Sequence, residues 1–338
     1  MPESSGLENV TAETAPANTE PNAETKQVVP VNLLTPVNVR DICAALHIQP
    51  TKTLGQNFVH DGGTVRKIIA AGRVNAEEHV LEVGPGLGSL TLGLLEAGAR
   101  VTAVEIDPVL ATALPTTVAA QGNAQLPLRI LLKDGLQVTS PQQLDAAPLI
   151  NGELANWEAP TRLVANLPYN VAVPLVLNFL ENFPSITEIL VMVQTEVAQR
   201  LSATPKGRIY GVPSVKTAWY GKAEMAGSIS RQIFWPVPNV DSSLVRITRY
   251  QPGQEPYAVT ASGQPAVSKE IVFKLVDAAF AQRRKTLRAA FKNWLDSAEK
   301  AETLLATAGI DGQRRGETLD IREFIALGEA AQKLGLLK

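Results

Sequence analysis

His79 to Gly98 read HVLEVGPGLGSLTLGLLEAG, and the two halves of the stretch follow different patterns. His79–Val83 is a short, mostly apolar run of the kind that crosses a buried sheet, whereas Leu90, Leu92, Leu94 and Leu95 lie in a helical stretch that ends at Gly98. Between them stands the turn Gly84-Pro85-Gly86-Leu87-Gly88. Glycines there let backbone approach a ligand without a Cβ clash, and the helix that follows offers free N–H groups at its start. Strand, glycine turn and helix in this order open an α/β unit able to hold a nucleotide-like ligand. By itself a G-x-G-x-G turn serves equally well as a tight connection that binds nothing, so the neighbouring segments must decide.

The next run, ARVTAVEIDP, ends on Glu105, about 20 residues beyond the glycines, where a doubly wound sheet places the carboxylate that accepts ribose hydroxyls. Asp107, before Pro108, reads instead as the cap of the following helix. LRILLKDGL ends a third strand on Asp134, placed either to accept from an adenine amine or to cap a turn. A fourth strand, RLVAN, delivers Asn166 to the same rim and leads into Asn166-Leu167-Pro168-Tyr169-Asn170. Pro168 fixes its own φ and keeps its predecessor extended, so the turn is stiff. An amide oxygen, a backbone carbonyl and an aromatic face then stand together and suit a flat heterocycle bearing an exocyclic amine. An Asn-x-Pro turn with a half-buried tyrosine is the structural alternative.

Outward from this frame, composition narrows the class. The chain has 338 residues with 45% hydrophobic content, enough for one full core or two. No apolar run approaches the roughly 20 residues needed to span a bilayer, and the N-terminus lacks the basic-then-apolar order of a secretory signal, so a cytoplasmic protein without a membrane is expected. One cysteine, Cys43, and three histidines without ligand spacing argue against a disulfide framework and against a protein-bound metal. Residues 1–30 hold five acidic side chains against one basic and little that could form a core, which predicts a disordered acidic tail over 1–35. Alternating helix-like and strand-like segments over 36–250 predict an α/β domain with a largely parallel sheet. A Gly-, Pro- and Gln-rich loop follows over 251–267, then a small all-helical domain over 268–338.

With GQNF (Gly55–Phe58), LEVGPGLGSLT, VEIDP, NLPYN and FWPVPNVDSSLVRI (Phe234–Ile247) in this order, the chain from about residue 36 onward resembles the ribosomal RNA adenine N6-dimethyltransferases. The resemblance implies a Rossmann-like methyltransferase sheet and S-adenosylmethionine as methyl donor. It implies that Asn57, Val59, Gly84, Gly86, Glu105 and Asp134 contact the donor, with Asn166 near the reactive methyl. Asn166, Leu167, Pro168 and Tyr169 would then hold the target adenine, with Tyr169 and Phe234 sandwiching its ring; for Phe234 ordinary packing is the alternative, because Phe, Trp and Pro clusters commonly close a sheet edge. Its substrate would be two adjacent adenosines near the 3′ end of small-subunit ribosomal RNA, in an immature small subunit, met by a monomeric enzyme. Trp235, Val59 and Gly135 depart from the family's habits, a smaller residue, leucine and alanine being usual, and the polar stretch NGELANWEAPT (151–161) is an extra loop.

Residues 269–296 read as one helical pattern, with Phe273, Val276, Phe280, Leu287 and Phe291 along an apolar face. Arg283, Arg284, Lys285 and Arg288 gather in its second half, either as a solvated basic face or as a grip on RNA phosphates. Other activities compatible with these motifs are methylation of one large-subunit adenine, as in macrolide resistance, a non-catalytic ribosome assembly factor that kept the fold, and DNA adenine methylation. Intact Glu105, Asp134, Asn166 and Tyr169 argue against lost catalysis.

Overall fold

The computed structural model describes residues 30–48, 57–122, 125–151 and 157–336. Its strands are β1 (Phe58–Val59), β2 (His79–Val83), β3 (Arg100–Glu105), β4 (Leu128–Leu132), β5 (Leu149–Asn151), β6 (Arg162–Asn166), β7 (Glu188–Gln194), β8 (Gly221–Ile229), β9 (Phe234–Trp235) and β10 (Ser242–Arg249). The helices are α1 (Pro36–Ala45), α2 (Gly62–Ala71), α3 (Ser89–Glu96), α4 (Pro108–Gln121), α5 (Gln142–Asp145), α6 (Ala172–Asn182), α7 (Thr195–Leu201), α8 (Val212–Tyr220), α9 (Lys269–Ala281), α10 (Leu287–Leu295), α11 (Ala298–Thr307) and α12 (Ile321–Lys333).

Eight strands form one sheet in the order β5-β4-β3-β2-β6-β7-β10-β8. The five from β4 to β7 run parallel, β5 and β10 oppose their inner neighbours, and β8 closes the edge antiparallel to β10. β2 shows why a parallel strand sits at the centre. All five of its residues are buried, and the pleat sends Val80 into one core and Leu81 and Val83 into the other. Helices α2, α3 and α4 cover the first face, and α6 and α8 the second.

The two ends of the parallel strands differ in character. At the N-terminal end the buried polar groups are paired: Arg162 Nη1 lies 3.0 Å from Glu188 and its Nε 3.0 Å from Glu78. His79 bridges the Glu158 carbonyl and Thr102 Oγ1. Burial holds the His79 pKa below the ordinary histidine range, so the ring is a neutral strut. The C-terminal end carries the cleft described below.

Several sequence expectations are revised here. The acidic tail over residues 1–29 lies outside the described residues, but 30–35 are packed: Val31 and Leu34 are buried, and the Asn32 N–H donates to the Gln121 carbonyl at 2.7 Å. Of the expected loop 151–161, Asn151 belongs to β5, and Trp157 is buried edge-on against His79 beneath the Arg129 guanidinium; residues 152–156 lie outside the described residues. The expected linker 251–267 is anchored, with the Tyr257 ring 4.4 Å from Trp219 and Val267 buried. The single helix expected over 269–296 is two, α9 and α10, broken by a turn at 282–286. Thr286 ends that turn by accepting the Ala289 N–H, a cap that starts α10 anew. Helices α9 to α12 share a core with the second face of the sheet, and the Tyr210 hydroxyl donates to the Leu319 carbonyl between them. No helix among the described residues is long and apolar enough to cross a membrane.

Candidate active site

One cleft runs across the C-terminal ends of β2, β3, β4 and β6, with a cavity of about 240 Å³. It is lined by every residue that the sequence assigned to the donor (Asn57, Val59, Gly84, Gly86, Glu105, Asp134 and Asn166) and by Leu167, Pro168 and Tyr169. Strands adjacent in the sheet but far apart in the chain bring their terminal residues to one rim, as the topology requires.

The glycine turn is left-handed at Gly84 (φ 72°), Gly86 (φ 57°) and Gly88 (φ 93°). Such backbone disfavours any residue with a Cβ, and one added at Gly86 would meet the Phe58 ring at 3.2 Å. The turn is tied to the next strand through Glu105. One carboxylate oxygen accepts the Gly86 N–H at 3.2 Å, and the other accepts the N–H groups of Ile106 and Asp107, each at 2.9 Å. The side chain is 4% exposed, and desolvation raises its pKa against the pull of those three bonds. The oxygen that accepts only the Gly86 N–H keeps lone-pair capacity for a further donor from the cleft.

Asp134 combines its two alternatives. Its Oδ1 accepts the Leu136 N–H at 2.9 Å and so caps a short 3₁₀ turn, while the residue lines the cleft. Asp107 is the helix cap, accepting the Val109 N–H at 2.9 Å. Gly135, where alanine is common in the family that the sequence resembles, has a local cause: a Cβ there would lie 2.9 Å from Leu175 and 3.0 Å from Val83.

A strap, residues 57–59, closes the cleft from the side. Ser89, at the start of α3, donates to the Val59 carbonyl. β1 pairs antiparallel with β9, Phe58 opposite Trp235 and Val59 opposite Phe234. Asn166, which lines the cleft, donates its Nδ2–H to the Asn57 carbonyl at 3.4 Å, and its Oδ1 is the acceptor of the amide. Gly55 and Gln56 of the GQNF motif lie outside the described residues.

In NLPYN the Leu167 side chain is buried and its N–H is held by the Met192 carbonyl at 3.1 Å, whereas Tyr169 is half-buried with its hydroxyl 3.1 Å from Ser242 Oγ. Phe234 does not line the cleft beside Tyr169. Its ring is 1% exposed and belongs to the core that holds Val59, Met192 and Leu244, because pairing with Val59 turns it inward. Phe234 is not among the residues that line the cleft, a place that matches its reading as ordinary packing.

The basic group also changes character. Arg283, Arg284 and Lys285 sit in the turn between α9 and α10 and not on a helix face. Arg283 is paired with Glu317 at 3.0 Å and donates to the Arg208 carbonyl, and Arg288 is paired with Glu302. Arg284 and Lys285 are exposed and form no ion pair among the described residues.

Sequence reasoning missed two further kinds of residue. Ile106 and Leu136, exposed apolar side chains on the cleft, directly follow Glu105 and lie near Asp134, a placement visible in the sequence once the strand ends are known. Glu82 lies within β2, 1% exposed, accepting from Thr91 Oγ1 at 2.6 Å, and burial pushes its carboxyl up to about 8. The signal for it is a lone acid inside an apolar strand.

A mostly parallel sheet whose rim unites a glycine turn, two acidic strand ends and an amide-proline-tyrosine turn defines a Rossmann-like methyltransferase. The family model described as ribosomal RNA adenine dimethylase matches residues 49–331, and the chain belongs to that family. It is 50% identical over 311 residues to the ribosomal RNA small subunit methyltransferase A of Corynebacterium jeikeium (strain K411), covering 88% of this chain and 95% of that protein. It is 51% identical over 313 residues to the protein of the same name from Paenarthrobacter aurescens (strain TC1), covering 92% and 98%. Among solved structures, a dimethyladenosine transferase from Plasmodium falciparum shares the fold, with a TM-score of 0.64 at 21% identity over 82% of this chain and 98% of that one.

Proposed function

We propose that this enzyme transfers methyl groups from S-adenosylmethionine to N6 of two adjacent adenosines near the 3′ end of small-subunit ribosomal RNA, giving N6,N6-dimethyladenosine as the ribosome matures. The observation that supports this most is the meeting of the glycine turn, Glu105, Asp134 and Asn166–Tyr169 in one cleft. The relatives named for small-subunit methylation supply the choice of RNA. The enzyme acts as a monomer on immature small subunits in the cytoplasm.

S-adenosylmethionine supplies a methyl group already activated on a sulfonium. Gly84 and Gly86 admit its methionine end close to the backbone, Glu105 accepts from its ribose hydroxyls, Asp134 accepts from its adenine amine, and Asn57 and Val59 close over it from the strap. On the acceptor side the difficulty is adenine N6, whose lone pair is delocalised into the ring. The Asn166 Oδ1 and the Leu167 carbonyl accept its two N–H groups and turn the lone pair toward the methyl, while Tyr169 stacks on the ring after it leaves the RNA stack. Holding both partners aligned makes the displacement effectively unimolecular, so the chain contributes mainly position and fixed dipoles. In each transfer the N6–CH3 bond would form as the S–CH3 bond breaks, leaving S-adenosylhomocysteine, and N6 would release one proton to solvent; after the first transfer one N–H remains, so a single acceptor must suffice for the second. Arg284 and Lys285, flanked by Arg283 and Arg288, bind RNA phosphates.

Purified protein and labelled donor are offered immature small subunits, naked small-subunit RNA, large subunits and DNA, followed by nuclease digestion and mass analysis. Dimethyladenosine in the small-subunit RNA is the expected product. Label confined to large subunits or DNA, or no label at all, would overturn the proposal.

A further inference from the structure

Strand β10 reads SSLVRITR and begins with two serines, Ser242 and Ser243, that are 1% and 2% exposed. A hydroxyl buried in such a strand costs free energy unless it is hydrogen-bonded, and alanine or valine would occupy the place without that cost. Both hydroxyls have partners outside the strand, and the pleat sends them to opposite faces. Ser243 Oγ lies 2.9 Å from Thr195 Oγ1, and Ser242 Oγ lies 3.1 Å from Tyr169 Oη. The Thr195 N–H donates in turn to the Asp241 carbonyl at 3.0 Å.

The two partners in the Ser242–Tyr169 bond are unequally held. Ser242 is flanked by Gln194 of β7 and Ile229 of β8 in the ladder and is braced through its neighbour by Thr195. Tyr169 is half-buried on a turn just beyond Pro168. Its hydroxyl lies on the axis about which the ring rotates. A bond there fixes the direction of that axis, which is set by χ1, while leaving the ring face available.

We infer that Ser242 is a positioning residue for the target base: it holds Tyr169 in the orientation in which its ring receives the adenine, so that the stacking platform exists before RNA arrives. The inference rests on the assignment of Tyr169 as the stacking residue in the proposed function. It gives the second half of the FWPVPNVDSS motif a role that the first half does not have. Phe234 packs into the core, whereas Ser242 reaches across to NLPYN.

The test uses the full chain and a small-subunit RNA fragment carrying 2-aminopurine at the target position, whose fluorescence falls when the base stacks on an aromatic ring. Ser242→Ala and Tyr169→Phe each remove the same bond. Each is expected to weaken RNA capture about two- to tenfold, the cost of ordering one side chain on binding, and to reduce the quench. The double variant is expected to match either single variant, because only one bond is lost. Donor affinity by calorimetry is expected to stay at the parental value in all three. Additive losses, or parental quench and affinity in Ser242→Ala, would overturn the inference. If Ser242→Ala does not fold, Tyr169→Phe breaks the bond from the exposed side and decides alone. Tyr169→Ala separates the two layers. Loss of quench there with full quench in Ser242→Ala defeats the positioning role only, whereas full quench in Tyr169→Ala defeats the stacking assignment itself and the inference with it.

Discussion

Glu105→Gln should separate donor binding from folding. The carboxylate accepts three backbone N–H groups: Gly86 on one oxygen, and Ile106 and Asp107 on the other. A glutamine has one acceptor oxygen. Placed on the side of Ile106 and Asp107 it keeps two of the three bonds, and its amide N–H groups then oppose the Gly86 N–H and whatever donor the cleft holds. The free protein loses one bond to a charged acceptor, about 1.5–3 kcal/mol and near the low end at 3.2 Å. It also escapes the desolvation that raises the Glu105 pKa, since a neutral amide is buried more cheaply than a carboxylate. The two terms oppose each other, so stability should change by less than about 1 kcal/mol. Donor binding has no such compensation. It loses a charge-assisted ribose contact and meets a glycine turn no longer tied to β3, together about 3 kcal/mol, or on the order of 10²-fold in Kd. Calorimetric titration with S-adenosylmethionine measures the second quantity, and urea denaturation without donor measures the first. A Kd within threefold of the parent, or a stability loss as large as the binding loss, would refute the assignment of Glu105 to the ribose.

Asn166→Ala removes an acceptor used chiefly as the N6 lone pair turns, so single-turnover methylation at saturating RNA should slow by on the order of 10² to 10³ with donor affinity nearly intact; an unchanged rate would return NLPYN to a structural turn. Neutralising Arg284 and Lys285 should flatten the salt dependence of RNA binding by up to about two units of slope, whereas neutralising the already paired Arg283 should add little; filter binding over a salt series reads this directly. The Glu82 carboxyl has a folded value of about 8 against an ordinary value of 4.5. Its protonated form therefore favours the fold below pH 4.5, and that advantage is lost as pH rises toward 8, by up to about 1.4 kcal/mol per unit. Glu82→Gln should gain stability over the parent between pH 5 and pH 8 in urea denaturation, and a difference independent of pH would contradict the burial of this charge.

What could be read from the sequence was what local pattern controls. The β2–turn–α3 unit and the acids at the ends of β3 and β4 announce themselves within a dozen residues, because strand period, glycine turn and helix period are short-range signals. The break between α9 and α10 was hidden by phase. Phe280 and Leu287 lie seven residues apart and stay on one face whether or not the helix continues, and the stop is marked only by Thr286, a capping residue inside a basic run. Phe234 could be read either as a partner for the target base or as ordinary packing at a sheet edge. Its inward direction depends on register with Val59, a residue distant in the chain, which no local pattern reports. Gly135 is legible only beside Leu175, whose side chain fills the space that an alanine would need.

Under the proposed assignment of the site, several such distant contacts join the donor side of the cleft to the acceptor side. Asn57 belongs to the strap, yet its carbonyl orients the Asn166 amide. Val59 is held by Ser89 at the start of α3 and by pairing with Phe234, which opens the motif that contains Ser242, the partner of the Tyr169 hydroxyl. A reaction between two bound molecules needs both held to within a fraction of an ångström, since the gain from alignment is lost when either side shifts. A fold that seated donor and acceptor on independent loops would add the positional errors of the two. Here the strap is paired to one acceptor motif and hydrogen-bonded to the other, so a displacement on one side is carried to the other and their relative position is preserved. The polar contacts that local patterns could not predict are therefore those that the chemistry most requires, because alignment across the cleft can only be specified by residues that meet after the chain has folded.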